Sequence, residues 1–511
     1  MSSVHPDVYK LQAKIADLTC YDLLPFKEGA HRETREFLQK IVDILLDYIE
    51  LCYDRNEHVL EYHSPDKLKE LFNMVVPHDG MTLQHLITDC ATVLKYGVKT
   101  GHPHFMNQLS CGLDIISMAG EWLTATANCN MFTYEISPVF IIMEHQVLKR
   151  MRRIIGWHSG DSIMSPGGTI SNLYSVIVAR YKMFPDYKVQ GQKALPGELV
   201  IFTTDQGHYS MKMAAMICGL GTSNCIYVKS DKRGKMIPSE LERHILEEKA
   251  KGKYPIMVNG TAGTTVLGAF DPINDLADIC EKYGLWLHID GAWGGSMVLS
   301  HKHRTTRLQG IERANSITWN PHKLMGVILQ CSTFHVRESG LLEHCNRMTA
   351  EYLFMTDKFY DTHYDTGDRV IQCGRHNDIF KLWFSWRARG EAGFEARVDR
   401  FMELAQYQVK RIKEMPDKFY LLMEPEYVNV CFWYIPQRFR HMPHSPEKEE
   451  ELARLCPIIK ERMMKAGTLM VGYQRDGKVP NFFRSIISQD AITEKDIDFM
   501  LHEIDRLGYD L

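Results

Sequence analysis

Apolar and polar positions follow three different periods along the 511-residue chain. Over about the first hundred residues the period is helical. In ETREFLQKIVDILLDYIELC, Phe37, Ile41, Ile44, Leu45 and Ile49 recur on one face of a 3.6-residue turn. Such an amphipathic arm needs a surface to cover, either the body of the protein or a second subunit. From about 195 to 340, short apolar runs alternate with helical stretches, which predicts an α/β unit with a mainly parallel sheet. The runs are LVIFTT from 199, CIYV from 225, PIMV from 255, LWLHID from 285, SITW from 316 and CSTFHV from 331. Between two of them, AFDPINDLADICEKYG predicts a helix with Asp271 as N-cap and Pro272 in the first turn. Ile273, Leu276 and Ile279 form its buried face, and Gly284 stops it. Beyond about 380, long helical stretches, an isolated apolar strand (VNVCFWYIP) and a last helix (EKDIDFMLHEIDRLG) predict a smaller α+β unit. HMPHSPEKEEE, at 441–451, is expected to be a solvated loop entering a helix.

Composition narrows the class. Sixty Lys and Arg against 64 Asp and Glu leave a net charge of −4, with neither sign massed in a block. A binder of nucleic acid or of acidic membrane rests on clustered cations, so neither partner is expected. No apolar run approaches the roughly 18–20 residues that cross a bilayer. The opening MSSVHPDVYKLQAK has no apolar signal core, so the cytoplasm is the expected compartment. The 13 cysteines form no CxxC pair and are expected to be free thiols. There is no HExxH and no Cys/His cluster at ligand spacing, so no metal is expected.

The candidate chemistry falls just after the strands, where open α/β sheets bind ligands. Asn320-Pro321-His322-Lys323 follows SITW directly. A lysine there is poorly hydrated, which lowers its pKa towards that of a usable amine nucleophile. Taken alone it would be a side chain snorkelling to solvent. It is not alone. Asp290 ends the strand LWLHID, and Ala292 stands two positions on. A carboxylate for a pyridinium nitrogen, with a small residue beneath the ring, is what pyridoxal phosphate requires. The glycine turn SPGGTISN, at 165–172, leads into a helix whose N–H groups suit a phosphate. His208, after LVIFTT, is placed to stack on the ring, although a single histidine there would usually be structural.

With these motifs in order, the chain resembles the group II pyridoxal-phosphate decarboxylases, from about residue 30 to its end. HPHFMNQLS, TATANCNMFTYE, TAGTTVLGAFD, NPHKLMGV, YDTGD, IQCGRH, NVCFWYIP and NFFRSIIS carry the likeness, which is strongest to the animal glutamate decarboxylases of insect type. The resemblance implies the aspartate-aminotransferase fold (fold type I), with a mainly parallel seven-stranded sheet. It implies a helical N-terminal segment or dimerisation arm over 1–106, a large cofactor domain over 107–382 and a small α+β domain over 383–511. It also implies a homodimer that converts L-glutamate to 4-aminobutanoate and CO2. Lys323 would hold the cofactor covalently, Asp290 would pair with its ring nitrogen and His208 would stack on it. Thr261 would lie near the ring oxygen, while Gly168, Thr169, Asn320 and His322 would serve the phosphate. Gln108, Leu109, Ser110 and Arg484 match positions that hold the substrate's carboxylates. Tyr352, in AEYLFMTDKFY from 350, matches the tyrosine of a mobile catalytic loop.

The chain departs from the family pattern at Gly291, Ser296, Gly260, Met106 and Glu351. Looser packing is expected at Gly291, where the family usually has alanine. Two alternatives are a cysteine-sulfinate or aspartate decarboxylase of the same family and a catalytically inactive paralogue acting as a binding partner. Ser110 and Gly326-Val327 side with glutamate, since the cysteine-sulfinate and aspartate relatives tend to carry Phe and Ala-Ala there.

Overall fold

The computed structural model describes residues 4–348, 355, 357–477 and 479–511. A first short strand, β1 (Phe105–Met106), belongs to the smaller of two sheets. The larger sheet is built from β2 (Asp161–Ser165), β3 (Leu199–Thr204), β4 (Cys225–Val228), β5 (Tyr254–Thr261), β6 (Trp286–Gly291), β7 (Ser316–Trp319) and β8 (Ser332–Val336). Its order is β2-β8-β7-β6-β5-β3-β4. The pairs from β7 to β4 are parallel, and β8 is antiparallel to both β7 and β2. Every residue of β3, β6, β7 and β8 is buried, polar ones such as His288, Thr318 and His335 included, because the sheet is covered on both faces. Strand β2 escaped the sequence pattern because Asp161, Ser162 and Ser165 interrupt its apolar residues.

The smaller sheet runs β1-β11-β12-β10-β9, with β9 (Phe419–Leu421), β10 (Asn429–Tyr434), β11 (Met470–Gln474) and β12 (Phe482–Ile486). Strand β10 is therefore not isolated, as VNVCFWYIP alone suggested. It pairs antiparallel with both β9 and β12. Its neighbours are short or carry polar residues, which masks the period-2 signal. Strand β1 pairs in parallel with β11, Phe105 opposite Met470, so the N-terminal segment contributes an edge to the C-terminal sheet.

Helices cover both sheets. The arm helix α1 (His31–Tyr53) packs with α2 (Leu83–Tyr96) around Ile44, Leu51, Leu83 and Ile87. Arg55, just after α1, grips Asp496 at 2.7 and 3.0 Å, so the arm is docked on the body. Helices α3 (Ile115–Ala127), α4 (Pro138–Ile155) and α5 (Gly168–Met183) follow. Helix α6 (Ile273–Tyr283) starts one residue later than expected. The Asp271 carboxylate accepts from Met236 N at 2.6 Å and Thr261 N at 2.7 Å, and makes no helix cap. Gly284 closes the helix in the left-handed region at φ 67°, as expected. Helix α7 (Ile379–Glu414) is broken at Gly390. Helix α8 (Pro446–Ala466) begins where Ser445 accepts from Lys448 N, within the segment expected to lead from loop to helix. Helix α9 (Glu494–Gly508) ends the fold.

Candidate active site

The carboxyl ends of the parallel strands open on a cavity of about 210 Å³. Thr261 comes to it from the end of β5, Asp290 and Ala292 from β6, and Asn320, His322 and Lys323 from the turn after β7. Gly168 and Thr169 come from the start of α5, and His208 from the loop after β3. Nine residues singled out from the sequence thus meet at one place, although they are scattered over 156 positions.

Their polar atoms form one network. Asp290 Oδ2 accepts from Asn172 Nδ2 at 2.8 Å, and Asp290 Oδ1 accepts from Ala292 N at 3.1 Å. The same Asn172 amide donates to Ser210 Oγ at 2.8 Å, and Ser210 Oγ lies 2.9 Å from His208 Nδ1. Asn172 Oδ1 accepts from Thr318 Oγ1 at 3.0 Å and stands 3.1 Å from His288 Nε2. Asn172 thus joins the Asp290 carboxylate, through Ser210, to His208. It was not singled out from the sequence, and neither were Tyr209, Gly263, Thr265 and Trp293, which also line the cavity. The signal available for Asn172 was its place one turn into the helix after the glycine turn, on the side facing the sheet.

Electrostatics favour an amine nucleophile. Burial lowers the pKa of Lys323, and Asp290 raises it in part. Burial also lowers the pKa of His208, so its ring is neutral near pH 7. His322 N donates to Cys331 O and Cys331 N donates to His322 Nδ1, both at 3.1 Å, and burial pushes the ring's pKa down to about 4.

The residues present fit pyridoxal phosphate. Thr261 Oγ1 is buried without a hydrogen-bond partner. A Cβ at Gly168 would stand 2.9 Å from Asn320 Nδ2 and 3.4 Å from Ala292 Cβ, so only glycine leaves the cradle at the helix start open.

The remaining expected residues stand apart from this cavity. Arg484, on β12, is buried and donates to Thr265 O at 2.7 Å and Asn107 O at 3.3 Å. It thereby borders the cavity through Thr265, and its Nε is buried without a partner. Gln108, Leu109 and Ser110 follow Asn107 and do not line the cavity. Gln108 is exposed, and Leu109 packs on the core. Lys460 Nζ donates to Asn107 Oδ1 and Val471 O, both at 2.9 Å, and adds a second cation behind this segment. Tyr352 and Glu351 lie outside the described residues.

The departures from the family pattern have local explanations. A Cβ on Gly291 would meet Thr318 O at 2.9 Å, so the backbones approach closely there and packing is not loosened. Ser296 Oγ accepts from the buried Trp319 Nε1 at 3.0 Å. At Gly260 a Cβ would meet only the tips of Leu276 and Ile289, at 2.9 and 3.0 Å. Met106 is fully buried in β1, in register with Val471.

Residues 65–435 match the family model described as the pyridoxal-dependent decarboxylase conserved domain. Over 509 residues the chain is 64% identical to the glutamate decarboxylase of Drosophila melanogaster, covering 100% of both chains. The crystal structure of mouse CSAD superposes with a TM-score of 0.91 at 45% identity, over 94% of this chain and 100% of that one. Oryza sativa TDC, solved with PLP and tryptamine, shares the fold at a TM-score of 0.83 and 21% identity, over 94% of this chain and 99% of that one. The chain belongs to the pyridoxal-dependent decarboxylase family.

Proposed function

We propose that this protein decarboxylates L-glutamate to 4-aminobutanoate and CO2. The observation that carries the reading is the 64% identity to Drosophila glutamate decarboxylase over the full chain. The mouse CSAD structures, at 45 and 46% identity, are more distant.

Pyridoxal phosphate, when bound, supplies an electron sink for the pair left at Cα as CO2 departs. The other roles belong to the chain. Lys323 would hold the cofactor covalently, and its amine would also serve as a base. Asp290, held by Asn172 Nδ2 and Ala292 N, accepts the ring N–H and keeps that nitrogen protonated. His208 would cover the ring on one side, and the small Ala292 would leave room for it. Gly168, Thr169, Asn320 and His322 would hold the phosphate, and Thr261 Oγ1 would be a donor for the ring oxygen. Arg484, with Gln108, Leu109 and Ser110, receives the substrate's carboxylates, and its planar fork suits bidentate pairing. Tyr352 Oη delivers the proton to Cα while its loop excludes water.

The active form in this reading is a cytoplasmic homodimer. Ile115, Trp122 and Leu123 on α3, with Ile136 and Val139 near the start of α4, are exposed apolar side chains suited to a partner copy. The units 1–106, 107–382 and 383–511 are the corresponding domains.

The test is to incubate cofactor-loaded protein with glutamate, aspartate and cysteine sulfinate and to measure CO2 from each. One methylene is worth about 1–3 kcal/mol of discrimination, so glutamate should lead aspartate by roughly tenfold or more in kcat/KM. A preference for either shorter acid would overturn the substrate, and no CO2 from any of them would favour the inactive paralogue. Borohydride should fix the cofactor on Lys323, and an adduct on another lysine would overturn that role.

A further inference from the structure

A second cavity, of about 190 Å³, lies between α4, β2 and the 361–369 segment and shares no lining residue with the first. Arg152, Arg369, His145 and His363 line it on the basic side, and Glu144, Asp161 and Glu343 on the acidic side. The carboxylates are engaged elsewhere. Glu144 takes Arg375 Nη1 on both oxygens, at 2.6 and 2.7 Å. Asp161 Oδ2 accepts from Leu342 N at 3.1 Å, and Glu343 lies 3.6 Å from Arg347.

The two cavity arginines are not so matched. Arg152 donates to Ser162 Oγ at 2.7 Å. Arg369, 8% exposed, donates to His363 O at 3.0 Å and points at the His363 ring. Among the described residues neither guanidinium has a carboxylate within ion-pair distance, although Asp161 acts on Arg152 at longer range. A buried guanidinium without a counter-charge is costly. His145 Nε2 points into the same region, buried and without a hydrogen-bond partner. Burial, and after it the positive charges of Arg369, Arg152 and Arg375, push the His145 pKa down to about 4.

We propose that this cavity binds a small tetrahedral oxyanion, phosphate or sulfate. Two guanidinium forks and a neutral imidazole N–H supply donors matched to such an ion. The volume holds the ion and a few waters, each water needing roughly 30 Å³. The ion would join α4, through His145 and Arg152, to the 361–369 segment, through His363 and Arg369. That segment leads out of the stretch that carries Tyr352, so occupancy would tether one end of the proposed catalytic loop.

The test uses cofactor-loaded protein desalted to remove free cofactor, titrated with potassium phosphate, potassium sulfate or potassium chloride at matched ionic strength. Phosphate or sulfate should raise the unfolding midpoint saturably, by about 1–2 °C, and slow amide exchange within 361–369. Both ions also strengthen burial in general, so the variants decide. Arg369→Gln and Arg152→Gln should abolish the saturable part. If Arg369→Gln fails to fold, Arg152→Gln decides by itself, since that side chain is partly exposed. A saturable response retained in Arg152→Gln, a wild-type response that does not saturate, or an equal response to chloride would overturn the proposal. A response to phosphate and sulfate alike would assign the site to oxyanions generally, and a response to phosphate alone to phosphate.

Discussion

Asn172 is buried, yet it is bonded towards the proposed place of the ring nitrogen, at Asp290, and through Ser210 towards one ring face, at His208. Its amide donates to Asp290 and, through Ser210, reaches His208. A hydrogen bond to a charged group is worth roughly 1.5–3 kcal/mol, so Asn172→Ala should lower kcat about 10–100-fold at saturating cofactor. Steady-state CO2 release would check this, and an unchanged kcat would leave Asn172 a packing residue. Ser296→Gly restores the family's usual residue but leaves the buried Trp319 indole N–H without its acceptor. It should cost about 1–3 kcal/mol in denaturant unfolding, and no measurable loss would mean that another group takes the bond. Lys323 and Asp290 were legible in the sequence because each is a polar residue placed directly after an apolar run. Asn172 was not, because its meaning depends on a partner 118 positions away.

At the scale of elements, legibility followed length and burial. The runs that became β3 to β8 alternate regularly with helical stretches and could be named in advance. The polar-interrupted β2 and the short β9, β11 and β12 could not, and so β10 looked isolated. Arg484 sits on one of these hidden strands, so its placement had to rest on family likeness. Capping was misread for a related reason. Asp271 has the right spacing to Ile273, but its carboxylate is held by Met236 N and Thr261 N, which no local pattern reveals. The break in α7 gives a prediction of its own. Gly390 has φ 65° with no atom within 4 Å of a built Cβ, so alanine meets conformational strain and no clash. Gly390→Ala should destabilise by about 1 kcal/mol and leave the pocket intact. Equal stability would mean that the helix straightens at no cost.

For the whole molecule, the buried histidines set the response to acid. Burial holds His288 and His102 down to about 4 and His335 to about 3. In the unfolded chain each would titrate near 6.5, so between those values the unfolded state binds more protons and stability rises with pH. These three should make unfolding easier by about 4 kcal/mol per pH unit at the steepest, as pH falls from 6.5 towards 4. Denaturant midpoints across that range would check it, and a flat profile would mean that the rings are protonated in the fold. The pairing of β1 with β11 has a consequence in time. Phe105 and Met106 cannot find Met470 and Val471 until about 360 further residues exist, which at common synthesis rates takes roughly 20–70 s. During that interval the segment next to Gln108 has no sheet to lean on and Arg484 has not yet been made. The part of the protein proposed to choose the substrate is therefore assembled late, from two regions of chain far apart in synthesis. A chain released early would carry the complete Lys323 turn and no means of selecting what reacts there.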